Sequence, residues 1–299
     1  MSSIRVNPNP VPDLLAAVEQ LQQQTANATL ELATGSSINK PSDNPAGAAE
    51  VAQIDDLSSQ VDSFQSTIGS IDGQFSTANS TLSSVDTVLQ RAISLGVEAG
   101  NGTLSAGDRA AIVTELTGIQ SQLVSLANTS YQGQFIFAGT ATTAPPFVVD
   151  PTQQSGVRYV GNTGTNKVTI GAGYQLQANV PGSQIFDGTG GDMFLAINNL
   201  ITAVQNNTGI GAAVTALNDA SNYVSGQQVF YGNALSQEQS QKTYLNTQSL
   251  GLSQQLSTIS GANLAAVASQ LVSDQTDLTA ALDAISKTTP QTTLFDYLK

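Results

Sequence analysis

Apolar residues recur every three or four positions at both ends of the chain, which is the spacing of coiled coils and helical bundles. The first run spans residues 14–32, and the second alternates three and four without a slip over residues 54–92. At 1.5 Å per residue, the second run predicts a helix of roughly 60 Å. Its interior contains Gly69 and Gly73, each costing about 1 kcal/mol relative to Ala. Packing along this apolar row must therefore stabilise the helix.

Further helices are predicted before and after the middle of the chain. One covers residues 106–130, with Ser105 as N-cap and Asp108 in the first turn. Helices return near Asp192 and run on past Ala212. Heptad spacing holds over residues 245–259 and resumes over 264–285 after an interruption at Gly261, which predicts a joint between two helical segments.

The middle of the chain has a different pattern. Gly and Pro become dense between residues 140 and 190, and short β-branched runs occur at 157–160 and 167–170. A segment rich in turn formers lies between these runs, and residues 174–180 alternate again. These features predict a small antiparallel β insertion in a helical chain.

The fold class expected from these patterns is mainly α: an elongated, discontinuous helical bundle or coiled coil formed by both chain ends, with the β insertion in the middle. Three regions are predicted. Residues 1–44 and 256–299 form terminal coiled-coil segments, 45–139 and 191–255 a helical rod, and 140–190 the β-rich insertion.

The terminal apolar rows are the candidate packing surface. The N-terminal row has no partner within its own segment, so it must meet the C-terminal helix, another subunit, or both. The free subunit is expected to be monomeric or weakly associated, with residues of about 1–40 and 260–299 mobile and a protease-resistant core of about 45–255. The seam consists of Leu14, Val18, Leu21, Leu32, Leu264, Val267, Leu271, Leu278 and Ile285.

Composition excludes most active-site chemistry. The chain of 299 residues has 22 acidic and 9 basic residues, a formal net charge of −13, and neither Cys nor His. Thiolate and imidazole sites are therefore absent, and no metal or cofactor is expected. The acidic surplus disfavours nucleic acid, and no apolar run is long enough to insert in a membrane. The first residues lack the pattern of a cleavable secretory signal.

Paired carboxylates leave one enzymatic alternative, a secreted carbohydrate-active enzyme. The candidates are Asp55 with Asp56 and Asp274 with Asp277. Adjacent helical residues point in different directions, so solvated helix faces explain these pairs better. Asp274 falls at a seam position and can instead hydrogen-bond across a helix contact.

A connector follows the first helix. Asn44 is a plausible N-cap for the next helix, with Pro45 at its first position. A structural turn explains the whole segment. The more specific interpretation is a connector of defined shape that contacts a neighbouring subunit. Its candidate residues are Gly35, Pro41, Ser42, Asp43, Asn44 and Pro45.

Four motifs in this order resemble the flagellin superfamily. They are Leu32-Ala33-Thr34-Gly35 with the connector, Asn101-Gly102-Thr103-Leu104-Ser105 with Asp108-Arg109-Ala110, the segment from Leu126 to Thr140 with Phe135, Phe137 and Gly139, and the ending with Leu294, Phe295, Tyr297 and Leu298. The last two are similar to motifs of the hook–filament junction branch. Departures include Ser36-Ser37 in place of basic residues, and Pro8, Pro10 and Pro12, which delay the first helix to about Asp13.

The resemblance implies a non-enzymatic structural subunit that joins hook to filament as a ring of like subunits. It implies three further partners: a second hook-associated junction protein, flagellin, and an export chaperone in the cytoplasm. It also implies an extracellular location in the flagellum, reached by type III export. The alternative within the family is flagellin itself, the bulk filament subunit.

Overall fold

The computed structural model describes residues 11–288, and within them the chain is mainly helical. The C-terminal motif of Leu294, Phe295, Tyr297 and Leu298 lies outside the described residues. The helices are α1 (Val11–Thr34), α2 (Pro45–Ala99), α3 (Ala106–Ala127), α4 (Gly182–Ile185), α5 (Met193–Asn206), α6 (Ile210–Ser260) and α7 (Leu264–Thr288).

Short strands occupy the middle of the chain, as four antiparallel pairs among the described residues. The strands are β1 (Ser130–Tyr131), β2 (Gln134–Phe135), β3 (Phe147–Val149), β4 (Val157–Tyr159), β5 (Lys167–Gly171), β6 (Tyr174–Gln177), β7 (Asp187–Gly188) and β8 (Gly191–Asp192). Each pairs with its neighbour in sequence. The mainly helical fold with a small antiparallel β insertion is therefore confirmed.

The turn-rich segment 161–166 joins two strands, β4 and β5, that do not pair with each other. β4 pairs with β3 and β5 with β6. Asn162 explains this separation, because its Oδ1 accepts hydrogen bonds from the backbone of Thr140 (2.8 Å) and Gly164 (3.0 Å). The segment is thus tied to residues before β3, so a hairpin between the two β-branched runs does not form.

The helical region expected from near Asp192 past Ala212 consists of two helices. α5 ends at Asn206, and Asn207 (φ 53°) and Gly209 (φ 72°) adopt left-handed conformations before α6 begins. Asn and Gly are the residues that enter this region at least cost. The sequence Asn-Asn-Thr-Gly therefore ends one helix and starts the next.

The described residues divide into two compact units. One contains residues 11–59 and 249–288, here called the terminal unit, and the other contains residues 60–248, here called the central unit. The central unit has a dense core on α2, where Ile68, Phe75, Val85 and Leu89 are fully buried. From Ile68 to Leu89 the long apolar row therefore lies in the core of this unit.

Candidate subunit-packing surface

The terminal unit is built around the pair α1 and α7. An antiparallel bridge joins Ser36, just after α1, to Gly261, just before α7, so the two helices pack in opposite directions. Among the described residues, Val18 and Ala28 are the buried positions of α1, and Asp274 is the buried position of α7. Two helices cannot surround an apolar row, so most of the seam stays in contact with solvent.

The nine seam residues predicted from the sequence differ in burial. Val18 is buried at 6% exposure, whereas Leu32 and Leu264, at the connector end of the pair, are exposed at 40% and 48%. The remaining six are half-buried: Leu14, Leu21, Val267, Leu271, Leu278 and Ile285. The seam is thus about half covered within one chain.

Four further apolar side chains on these helices were not singled out from the sequence. Leu15, Leu30, Val272 and Leu282 are exposed at 50%, 38%, 65% and 49%. They lie outside the single heptad row. A search for a second set of apolar positions on these short helices would have found them. Together with Leu32 and Leu264 they form the exposed apolar set of α1 and α7.

One layer of the α1–α7 seam is polar. The Asp274 carboxylate is 3% exposed and accepts a hydrogen bond from Gln270 Nε2 at 2.8 Å. This bond lies within α7, whereas the sequence suggested a bond across a helix contact. On α1, the Thr25 hydroxyl is buried without a hydrogen-bond partner. Polar groups in a seam cost stability but restrict which partners fit it.

The connector is folded against the joint between α6 and α7. Ser37 N donates to Ser260 O at 2.6 Å, and Ala262 N donates to Gly35 O at 2.9 Å. Gly35 has φ 70°, in the left-handed region that ends helices. The backbone after α1 and the backbone before α7 are therefore held together by hydrogen bonds.

The rest of the connector is shaped by carboxylate and amide side chains. Asp43 Oδ2 accepts from the backbone N–H of Asn39 (3.0 Å) and Lys40 (2.8 Å). Asn44 Oδ1 accepts from Gly47 N at 3.0 Å, which is the N-cap expected from the sequence. Pro41, Ser42 and Pro45 are exposed, so the connector presents an ordered surface that is open to solvent.

The aromatic motif of residues 135–139 lies in the core of the β region. Phe137 is fully buried and packs edge-to-face on Phe186, with ring centroids 5.1 Å apart. Gly139 has φ 71°, and a Cβ there would overlap Asn162. Phe135 is half-buried in β2. Within one chain these residues build the core, and their role at an interface stays a prediction.

The terminal unit is strongly acidic. Its described residues include 10 acidic side chains but only the cations Lys40 and Lys287. The salt bridges in the described structure, Arg91–Glu115 and Arg158–Asp150, both belong to the central unit. Copies that pack through terminal units must therefore overcome repulsion, which salt reduces.

The paired carboxylates show no arrangement for catalysis. Asp55, Asp56 and Asp277 are exposed on helix surfaces, while Asp274 is buried in the seam. Across residues 11–288 no group of three or more Asp or Glu could hold a metal ion. In the same range no helix is long and apolar enough to cross a membrane.

Comparison with known proteins finds similarity to part of the chain. Residues 12–142 match the family model of the bacterial flagellin N-terminal helical region. Flagellar hook-associated protein 3 of Escherichia coli strain K12 is 33% identical over 158 residues, and that of Salmonella typhimurium strain LT2 is 39% identical over 118 residues. Residues 12–142 are thus similar to the bacterial flagellin N-terminal helical region, and the chain is similar to these two hook-associated proteins.

The flagellin-type match covers α1, the connector, α2, α3 and the first strand pair. The alignments with the two relatives cover 52% and 39% of this chain, and 48% and 37% of the relatives. The chain therefore spans half or less of the length of these curated proteins. A solved structure from Vibrio parahaemolyticus, provisionally described as a flagellar hook-associated protein, has the same fold with TM-score 0.67. It is 21% identical, with 73% of this chain and 100% of that chain covered.

Proposed function

We propose that this chain is a structural, non-enzymatic subunit of the bacterial flagellum that joins hook to filament. Copies pack side by side through their terminal units into a ring. The names of the two curated relatives, both flagellar hook-associated protein 3, support this function. The sequence motifs of the junction branch support it independently.

The incompletely covered apolar surface of α1 and α7 is the observation that carries the proposal. Fully burying a Leu or Val side chain stabilises a protein by about 1.5–3 kcal/mol. Val272, at 65% exposure, and Leu282, at 49%, therefore leave much of that gain unrealised in one chain. Neighbouring copies that cover these side chains would recover it, and this gain drives ring assembly.

The partners follow from this assembly. They are further copies of this chain, the other hook-associated junction protein, flagellin, and an export chaperone that holds the terminal segments before export. The place of action is the outside of the cell, at the junction of hook and filament. In this proposal the exposed connector, including Pro41 and Ser42, contacts the next subunit.

The test uses side chains that are exposed in the single chain. Val272→Gln with Leu282→Gln should leave the folded subunit unchanged, because neither residue is buried, but should prevent assembly. Val149→Gln is the matched control, since Val149 is 71% exposed in the central unit. The readouts are helical content by circular dichroism and complementation of a deletion strain. The deletion strain and the double variant should shed unpolymerised flagellin, and the control should not.

Two outcomes would overturn the proposal. One is a deletion strain with normal filaments, and the other is a double variant that assembles as well as the Val149→Gln control. Immunogold labelling of intact flagella separates the junction subunit from the alternative within the family. A single band near the cell supports the junction subunit, whereas label along the whole filament identifies the bulk filament protein.

A further inference from the structure

One carboxyl group occupies a core position between the two long helices. Tyr231 of α6 is buried against Phe75 of α2, with ring centroids 6.0 Å apart, and Glu238, two turns further along α6, is 2% exposed. A carboxylate at such a position is costly unless it is paired or protonated. The assembly of subunits does not explain why Glu238 is buried at this position.

The partner of Glu238 is another acid. The Asp72 side chain on α2 lies beside it and contributes to raising the pKa of Glu238, and Glu238 Oε2 is buried without a hydrogen-bond partner. The charged group nearby on its own helix is Lys242, which is exposed. Two carboxyls in direct contact form a hydrogen bond only when one of them carries a proton.

The β5–β6 hairpin and the segment after it are attached to the rod on both sides of Glu238. Tyr174 Oη donates to Gln237 Oε1 at 3.0 Å, and Gly171 lies so close to the Gln241 side chain that a Cβ would overlap it. On α2, Gln74 Nε2 donates to Ala178 O at 3.3 Å. The residues that flank Glu238 and Asp72 thus contact the β region directly.

We propose that the seat of the β5–β6 hairpin on α2 and α6 is controlled by a proton, closed when Glu238 carries it and loosened when Glu238 is ionised. Loosening follows because an ionised Glu238 is a buried carboxylate beside a second acid, with no cation to pair with in the core. The acidic pair is thus a device built into the central unit, and it does not depend on how copies assemble.

The sign of the pH dependence follows from the direction of the shift. Burial, with the Asp72 charge and hydrogen bond added, raises the pKa of Glu238 from 4.5 to about 7. The folded chain therefore binds a proton that the unfolded chain releases. The resulting stability is present at low pH and is lost as pH rises through about 7. Between pH 6 and pH 8 the unfolding constant should rise about tenfold through this one group.

The test is urea unfolding of the full chain at pH 6 and pH 8, followed by circular dichroism, with hydrogen exchange of residues 167–177 as a local readout. The wild type should show the tenfold rise and faster amide opening in the hairpin at pH 8. Glu238→Gln should remove most of both effects. Asp62→Asn, an exposed carboxylate on α2, is the matched control and should retain them.

A second variant keeps the proposal testable if Glu238→Gln does not fold. Asp72 is exposed, so Asp72→Asn should fold, and its amide can donate to ionised Glu238. The carboxyl-carbon titration of Glu238, observed by NMR, should then move from a midpoint near 7 to lower pH. Wild-type pH dependence retained in both variants would overturn the proposal, as would a Glu238 midpoint below 5 in the wild type.

Discussion

Replacing Gly69 by Ala should stabilise the chain, whereas the same change at Gly73, one helical turn later, should destabilise it. Both glycines lie inside α2, where Ala is favoured over Gly by about 1 kcal/mol. Gly69 is exposed, and a Cβ there would meet no atom within 4 Å. The Gly69→Ala variant should therefore gain up to about 1 kcal/mol in the free energy of unfolding.

Gly73 is different because Tyr131 lies directly over it. A Cβ at Gly73 would overlap the Tyr131 hydroxyl and its ring carbon Cζ, so the aromatic side chain would have to leave its seat. Overpacking of this kind costs about 1–3 kcal/mol. The cost exceeds the gain in helix propensity, and the Gly73→Ala variant should lose up to about 2 kcal/mol net.

The assay is urea unfolding of the three proteins, wild type and the two variants, followed by circular dichroism. Tyr131→Ala provides the internal check, because removal of the ring leaves space for the new methyl group. In that background Gly73→Ala should become stabilising, and the double-mutant cycle isolates the contact. The reasoning is refuted if both glycine changes shift the unfolding midpoint in the same direction in the wild-type background.

Two other substitutions test polar contacts. Asn179 is 4% exposed, and its Nδ2 donates to two backbone carbonyls at 3.1 Å; Asn179→Ala leaves these carbonyls unpaired and should cost about 3 kcal/mol in urea unfolding, while a cost below about 1 kcal/mol would contradict this. Ser105 caps α3 and forms a capping box with Asp108, so Ser105→Ala should cost about 1 kcal/mol. Its side-chain hydrogen bond lowers the pKa of Asp108, and an Asp108 midpoint that does not rise by NMR in the variant would count against the cap.

The helices could be predicted because their signals are local. The spacing of a heptad row shows which face of the helix is buried, whichever element packs against it. The start of a helix depends on the few residues beside it. Ser105 and Asn44 both accept the capping hydrogen bonds that the sequence indicated. The first helix begins at Val11, close to the expected Asp13.

Strand pairing and one helix end could not be predicted in the same way. The pairing of β4 with β3 is favoured by the hydrogen bond that Asn162 Oδ1 accepts from the distant backbone N–H of Thr140, and nothing in the alternation of β4 specifies this bond. The break at Asn207 had a signal, since Asn and Gly follow one another closely there. Helices were expected across this range, but the residue at which one ends and the next begins was not specified.

The acidic pair and the exposed apolar set show a further limit of sequence patterns. Glu238 lies in a helix rich in Gln and Ser, where a charged residue is typical of a solvated face. Its burial depends on α2 and on the β region, which are far away in sequence. The role of the seam, the three-region division, the mobility of the chain ends and the interface role of the connector stay predictions.

The hydrogen bonds between the connector and the joint at Gly261 have a mechanical consequence. The chain bends at two places more than two hundred residues apart, and Ser37 Oγ donates to Ser260 O at 3.1 Å where they meet. Swinging α1 away from the start of α2 would break the contacts that hold α7 beside the end of α6. The two bends therefore act as one hinge, and a probe attached to either terminal helix would report the movement of both.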